Sequence, residues 1–308
     1  MTVSMTASRP LPDLPLADWA DTRDTLHLCC QVIGKVRMAL HPKLNHWWHV
    51  PLYVSSTGLT TRAIPYDGRE IEIAFDFFDG MLHVTSSAGE RRSFTLGDQP
   101  VATFHERLFG ALGDLGIDVE ILDKPYDFKS ETPFSEDREH SAWDRGAIMR
   151  YWQILQWANG VMTSFAGRFA GKQTPVHLFW HSFDLALTRF SGRAAPPIEG
   201  GTRADREAYS HEVISFGFWP GDDKLPEPAF YSYTYPEPDG LAEAPLEPDA
   251  AFWNVADGNA MAILKYADVK ALDVPDTALL AFLQSAYDAG AARADWPVED
   301  LRHEYAEG

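Results

Sequence analysis

Between Trp47 and Leu96 the chain is cut into short alternating runs by tight-turn signals, and this punctuation limits the fold more than any other feature. The runs are Trp47 to Val54, Leu59 to Ile64, Glu70 to Phe77, Met81 to Ser86 and Arg92 to Leu96. Tyr66-Asp67-Gly68, Phe78-Asp79-Gly80 and Ala88-Gly89-Glu90 mark the reversals between the later runs. Asp-Gly and Gly supply the positive φ that a reversing turn requires, and alternation gives each run one apolar face. These connections are too short for a crossover helix, so the runs predict an antiparallel meander. Helices flank it. Trp19 to Leu40 sets Leu26, Cys29, Cys30, Ile33, Val36 and Leu40 along one stripe, with Pro42 just past its end. Val101 to Leu115 aligns Phe104, Leu108, Leu112 and Leu115, with Asp98 placed to cap it. A short strand, Asp118 to Leu122, closes this half.

After an irregular link the order repeats: a helix from Arg145 to Phe169, strand-like runs, and a final helix from Asp276 to Ala292. The segment from Glu70 to Gly80 can be laid on His211 to Gly221, matching Ile73, Phe75, Phe77 and Gly80 to Ile214, Phe216, Phe218 and Gly221. A degenerate duplication is the preferred reading, against a chance likeness of amphipathic strands ending in Gly. The predicted fold class is α+β, two similar helix/antiparallel-sheet/helix halves fused into one compact unit. Residues 1–15, with Pro10, Pro12 and Pro15, read as a loose leader, 16–123 as the first half, 124–141 as a link, and 142–308 as the second half. A duplicated pair of sheets would meet about a pseudo-twofold axis, with a site near the junction.

A net charge of −19 disfavours nucleic acid and anionic membranes as partners, since both demand a basic patch. A small-molecule ligand is expected instead. Cys29 and Cys30 are adjacent, a spacing that forms almost no bridges, and no apolar run is long enough to span a bilayer. A cytoplasmic protein with reduced thiols is therefore expected. Oligomeric state leaves no mark on the sequence.

Chemistry concentrates between Pro175 and Arg193, where His177, His181, Asp184 and Arg189 interleave with Phe179, Trp180, Phe183 and Phe190. Unpaired charges are costly inside a core, so these groups pair with one another or line a cavity. His177-x-x-x-His181 has the spacing of a helical two-His metal site, but on a strand the two imidazoles would stand about 13 Å apart. His46 and His49 would face opposite ways on a strand. No metal site is expected. No Cys-x-x-Cys-His, Gly-x-Gly-x-x-Gly or Gly-x-Ser-x-Gly motif is present, so no cofactor or serine nucleophile is assigned.

At NHWWHVPLYV, PVHLFWHSFDLALTRFSGR, EAYSHE, GFWPGD and FYSYTYPEP the chain resembles the DUF5996 family, from about Trp19 to Trp296. The resemblance implies an identity without a mechanism. It also implies Gly where this chain carries His181, which argues against His181 as an essential ligand.

General acid–base chemistry asks only for a carboxylate or imidazole beside an apolar wall. Asp184, His211 and Glu212 are the candidate catalytic groups. Glu212 alternates with Ile214, Phe216 and Phe218 and should face the apolar side, where Arg189 is its expected partner if the role is structural. The candidate ligand-binding set is His46, Trp48, His177, Trp180, Arg189, Tyr209, Trp219 and Tyr231, whose rings would stack on a flat or sugar-like molecule. The chain thus reads as an enzyme acting on a small polar molecule, or as a non-catalytic binding or sensor protein using the same pocket.

Overall fold

The computed structural model describes residues 10–198, 200–222, 225–256 and 258–303. Helix α1 (Ala20–Leu40) leads into β1 (Tyr53–Val54), β2 (Leu59–Thr60), β3 (Ile64–Tyr66), β4 (Arg69–Asp76), β5 (Met81–Ser86) and β6 (Arg91–Thr95), then α2 (Val101–Asp114). The second half opens with α3 (Arg145–Ala166), β7 (His177–Phe179), β8 (Asp184–Ala194), α4 (Arg203–Ala208), β9 (His211–Trp219) and β10 (Ala229–Tyr235). It ends with β11 (Phe252–Ala256), β12 (Asn259–Lys265), α5 (Tyr266–Lys270) and α6 (Pro275–Arg293). Two antiparallel sheets of six strands result, an α+β fold. The first runs β1-β2-β4-β5-β6 with β3 also on β4, and the second runs β11-β12-β10-β9-β8-β7. Among the described residues, no helix is long and apolar enough to cross a membrane.

The order helix, strands, helix recurs as the sequence suggests, and each sheet is nearly a meander in chain order. The second departs from that order at its edge, where β12 lies between β10 and β11. Such likeness is what a duplication leaves, and also what two meanders packed on helices produce unaided. The sheets meet edge to edge: Leu52 and Leu178 exchange both backbone hydrogen bonds, at 2.9 and 2.8 Å.

Helix α1 departs from the one-stripe reading. Every residue from Asp24 to Arg37 is buried, including His27, Gln31, Lys35 and Arg37. The segment 124–141, expected as a plain link, covers the side that the sequence marks as polar. Gln31 donates to the backbone oxygen of Tyr126 at 2.9 Å and accepts from its N–H at 2.8 Å. Lys129 pairs with Asp24 at 2.6 Å, and Phe134 is fully buried below Lys35. Gln31 and Asp24 are thus matched on that side, which is the condition for burying them.

Three local expectations are corrected. Trp47 to Val54 is a strand only over Tyr53 and Val54. His46 and Trp47 hold positive φ (54° and 61°) in a 3-10 turn, which no strand accommodates. Asp118 to Leu122 forms no strand. Asp98 does not cap α2, which starts after Pro100; it accepts instead from the backbone N–H of Trp143 at 3.1 Å. As for the expected leader, residues 1–9 lie outside the described residues. Leu14 is buried in the core, and Tyr266 donates to the Pro12 carbonyl at 2.7 Å.

Candidate functional site

Alternation along β8, β9 and β10 sends one set of side chains toward α3 and α6 and the other to the second face of the sheet. Leu185, Leu187, Ile214, Phe216, Phe218 and Phe230 form the core side. The opposite face is built in rows across the strands: Ala186, Gly217 and Tyr231 in one, Thr188, Ser215 and Tyr233 in the next. Continuing the register one step sets Trp219 beside Asp184, while His177 and Phe179 enter the same face from β7.

Asp184 is the centre of this face. Its two carboxylate oxygens accept from the Ser182 hydroxyl and the Tyr231 phenol. Tyr231 reaches Asp184 by lying across β9 over Gly217, where an added Cβ would stand 2.3 Å from the ring. Tyr209 and Tyr233 share a hydrogen bond at 2.9 Å, and Thr188 and Ser215 share one at 2.8 Å. Burial holds the Tyr231 and Tyr233 phenols above their ordinary range, with the Asp184 charge adding to it; for Tyr209 the neighbouring Tyr233 is the largest cause. These phenols are neutral donors at pH 7. Burial pushes His181 down, and the charges of Asp184 and Asp127 partly offset it.

A second cluster sits toward the other end of the face. His46 stacks near Trp48, Phe190 and His211, with ring centroids 5.6, 4.7 and 5.3 Å away. Lys172 donates to His46 Nε2 at 2.7 Å, which leaves Nδ1 to carry the proton and donate to the Ala208 carbonyl at 3.3 Å. Burial and the Lys172 charge keep His46 below its usual value.

The sequence-predicted residues therefore separate. Asp184, His177, Tyr209, Tyr231 and Trp219 gather around the first cluster, and His46, Trp48 and His211 form the second. Trp180 is drawn away: its ring fills the space above Gly34 of α1, and its Nε1 donates to the Val50 carbonyl at 3.0 Å. Arg189 and Glu212 point to the core side. Arg189 is 2% exposed, stacked 3.6 Å from the Phe165 ring centroid and 4.6 Å from that of Tyr287, and donates to the Phe165 carbonyl at 2.6 Å. Burial pushes its pKa down to about 9, so it stays cationic at neutral pH. Glu212 shares the side of Ile214 as expected, but its partner is Arg193, whose Nε lies 2.9 Å away, rather than Arg189.

His177 and His181 do not lie on one continuous strand. Strand β7 stops at Phe179, and the chain turns through Phe183, whose φ is 62°. Both histidines consequently flank Phe179, with centroids 4.5 and 5.2 Å from its ring. Among the described residues, no group of three or more His, Cys, Asp or Glu is arranged to hold a metal. Tyr233 and Lys172 escaped the sequence reading, and Ser182, set aside there as a nucleophile, serves instead as a donor to Asp184. The Tyr231-x-Tyr233-x-Tyr235 alternation does signal Tyr233; nothing in the sequence marks Lys172. Two surface grooves lie elsewhere, one along α6 between Arg168 and Arg293 and one beside Gly80 and Trp143.

No curated protein matches the chain, and no solved structure matches it. The DUF5996 model, described as a family of unknown function, matches residues 11–303, and the chain belongs to that family.

Proposed function

We propose that this protein is a cytoplasmic enzyme that acts on a small polar molecule by general acid–base chemistry on the second face of its second sheet. The observation that carries this reading is the Asp184 carboxylate, held by the Tyr231 and Ser182 hydroxyls on a face lined with phenols and flanked by His181. In this reading Asp184 takes a proton from the substrate, Tyr231 donates a hydrogen bond to the oxygen where charge develops, and Trp219 offers a stacking surface. The overall charge of −19 supports a small ligand over nucleic acid or an anionic membrane.

A non-catalytic binding or sensor role is favoured by one fact: both Asp184 oxygens are already engaged by hydroxyl donors, which suits a fixed recognition element. The two readings separate in one experiment. The parent protein and Asp184→Asn are incubated with a pool of small polar metabolites, and the pool is followed by mass spectrometry. Catalysis predicts a compound consumed by the parent, with a rate lower by about 10² or more in the variant. Retention of a compound without turnover supports the binder, and neither retention nor turnover removes both.

A further inference from the structure

At the seam between the sheets, on the β1 side, two guanidiniums converge on one tyrosine ring. Arg37 is buried in α1 and donates to the Thr61 carbonyl, and its guanidinium carbon lies 5.7 Å from the Tyr53 ring centroid. Arg62 is exposed and stacks on the same ring at 3.6 Å. His177 is fully buried, with its ring edge-on to Tyr53 at 6.3 Å between centroids.

Three observations point to a missing partner. Both ring nitrogens of His177 and the Nε of Arg37 are buried, and among the described residues none of them has a hydrogen-bond partner. Neither Arg37 nor Arg62 forms an ion pair with a described carboxylate, although the chain carries 45 Asp and Glu against 26 Lys and Arg. The two guanidiniums also repel each other while sharing Tyr53. Buried donors and paired like charges persist where something else satisfies them. A small oxyanion does so with the right chemistry: it accepts several N–H bonds at once and neutralises two guanidiniums that can present forked donors.

We propose that Arg37, Arg62 and Tyr53, backed by His177, form a binding site for a small oxyanion, a carboxylate or phosphate group, at the junction of the two sheets. Arg62 is the outer element. It is exposed and stacked on the Tyr53 ring, so it is the guanidinium that an anion arriving from solvent meets first. The site adjoins the Asp184 face through His177 but does not rest on the acid–base reading, since a binder would use it equally.

The test uses the full chain. Thermal melts and titration calorimetry are run with inorganic phosphate and, separately, with acetate, at constant ionic strength set by chloride. A saturable rise in Tm with one of the two oxyanions is expected, and the better one assigns the headgroup. Arg62→Ala, an exposed change that leaves the core intact, should weaken that anion by about tenfold or more, with Arg62→Lys between. Equal behaviour of phosphate, acetate and chloride would overturn the proposal, and so would an oxyanion effect that Arg62→Ala leaves unchanged.

Discussion

The two sheets have the same number of strands but treat their second faces differently. From Ile71 to Asp76 in β4 and throughout β5 buried and half-buried residues alternate, and the outward positions carry Glu72, Asp76, His83 and Thr85. In β9 the run from Val213 to Phe218 is buried on both sides, and in β8 Asp184 to Leu187 is likewise. One sheet is an ordinary half-wet sheet. The other covers its second face, and sets hydroxyls, phenols and a carboxylate there among Ala186, Phe190 and Val213. A protein that needed only stability would fill that face with apolar groups, because buried polar networks gain little over a packed core. The difference supports placing the proposed site on the second sheet.

The sharpest way to break this comparison is to put the same side chain on both second faces. Gly217→Val would drive a methyl-bearing Cβ into the Tyr231 ring and is expected to cost about 3 kcal/mol. Ala74→Val, on the outward side of the central strand β4, should stay within about 0.5 kcal/mol. Urea unfolding of the two variants beside the parent decides it; equal costs would mean that the second sheet's outer face is as open as the first's.

A smaller contrast is expected between two carboxylates. Asp184→Asn replaces a charged acceptor of two hydroxyl donors by an amide that can accept only on one side, for a loss of about 2 kcal/mol. Asp76→Asn keeps the acceptor that receives the Asp79 N–H at 2.9 Å, so its melt should overlay the parent's. If the Asp184 variant also melts like the parent, the carboxylate contributes nothing to holding the face together.

Histidine extends the contrast to pH. Burial holds His177 down to about 3, whereas an unfolded histidine titrates near 6.5. Between those values the unfolded chain binds the extra proton, so the stability contribution is intact above about pH 6.5 and is lost as pH falls toward 3, at about 1.4 kcal/mol per pH unit. His27, pushed down to about 4 by burial, acts with the same sign. His177→Leu should remove one such slope from a plot of unfolding free energy against pH between 6 and 4.5. His83→Leu on the first sheet should change it less. Parallel curves for the parent and His177→Leu would show that His177 is hydrated in the folded protein.

Much of this architecture was legible. The turns at Gly68, Gly80 and Gly89 place β4 to β6, helical spacing locates α1, α2, α3 and α6, and alternation correctly puts Glu212 with Ile214, whereas the expected run from Leu59 to Ile64 is broken at Arg62, whose φ is 55°. What was not legible depends on contacts distant in sequence. The polar side of α1 reads as solvent-facing because nothing local announces that Tyr126 and Lys129 will cover it. Trp180 and Asp184 are four residues apart, yet the turn at Phe183 sends one into α1 and the other onto the sheet face. Lys172 meets His46 across more than a hundred residues, a pairing without any sequence signature.

The smallest expected effect belongs to the residue that alternation made most suspect. Glu212 lies on the core side of β9 but at its first turn of pairing, where its side chain is still 18% exposed. It accepts from Ser191 at 2.7 Å and from Arg193, and Arg193 continues to the Ala294 and Asp295 carbonyls at the end of α6. Glu212→Gln preserves an oxygen for both donors and leaves Arg193 bonded to two carbonyls and to water. The loss should be about 1 kcal/mol or less, as for other partly exposed ion pairs. Arg189 should be indifferent to the change, because its charge rests on Phe165, Phe169 and Tyr287 instead of on Glu212. A double-mutant cycle of Glu212→Gln with Arg189→Met therefore should show additive losses within about 0.5 kcal/mol. Coupling well beyond that would tie Glu212 to the buried guanidinium and carry the chemistry of the second sheet through to its core side.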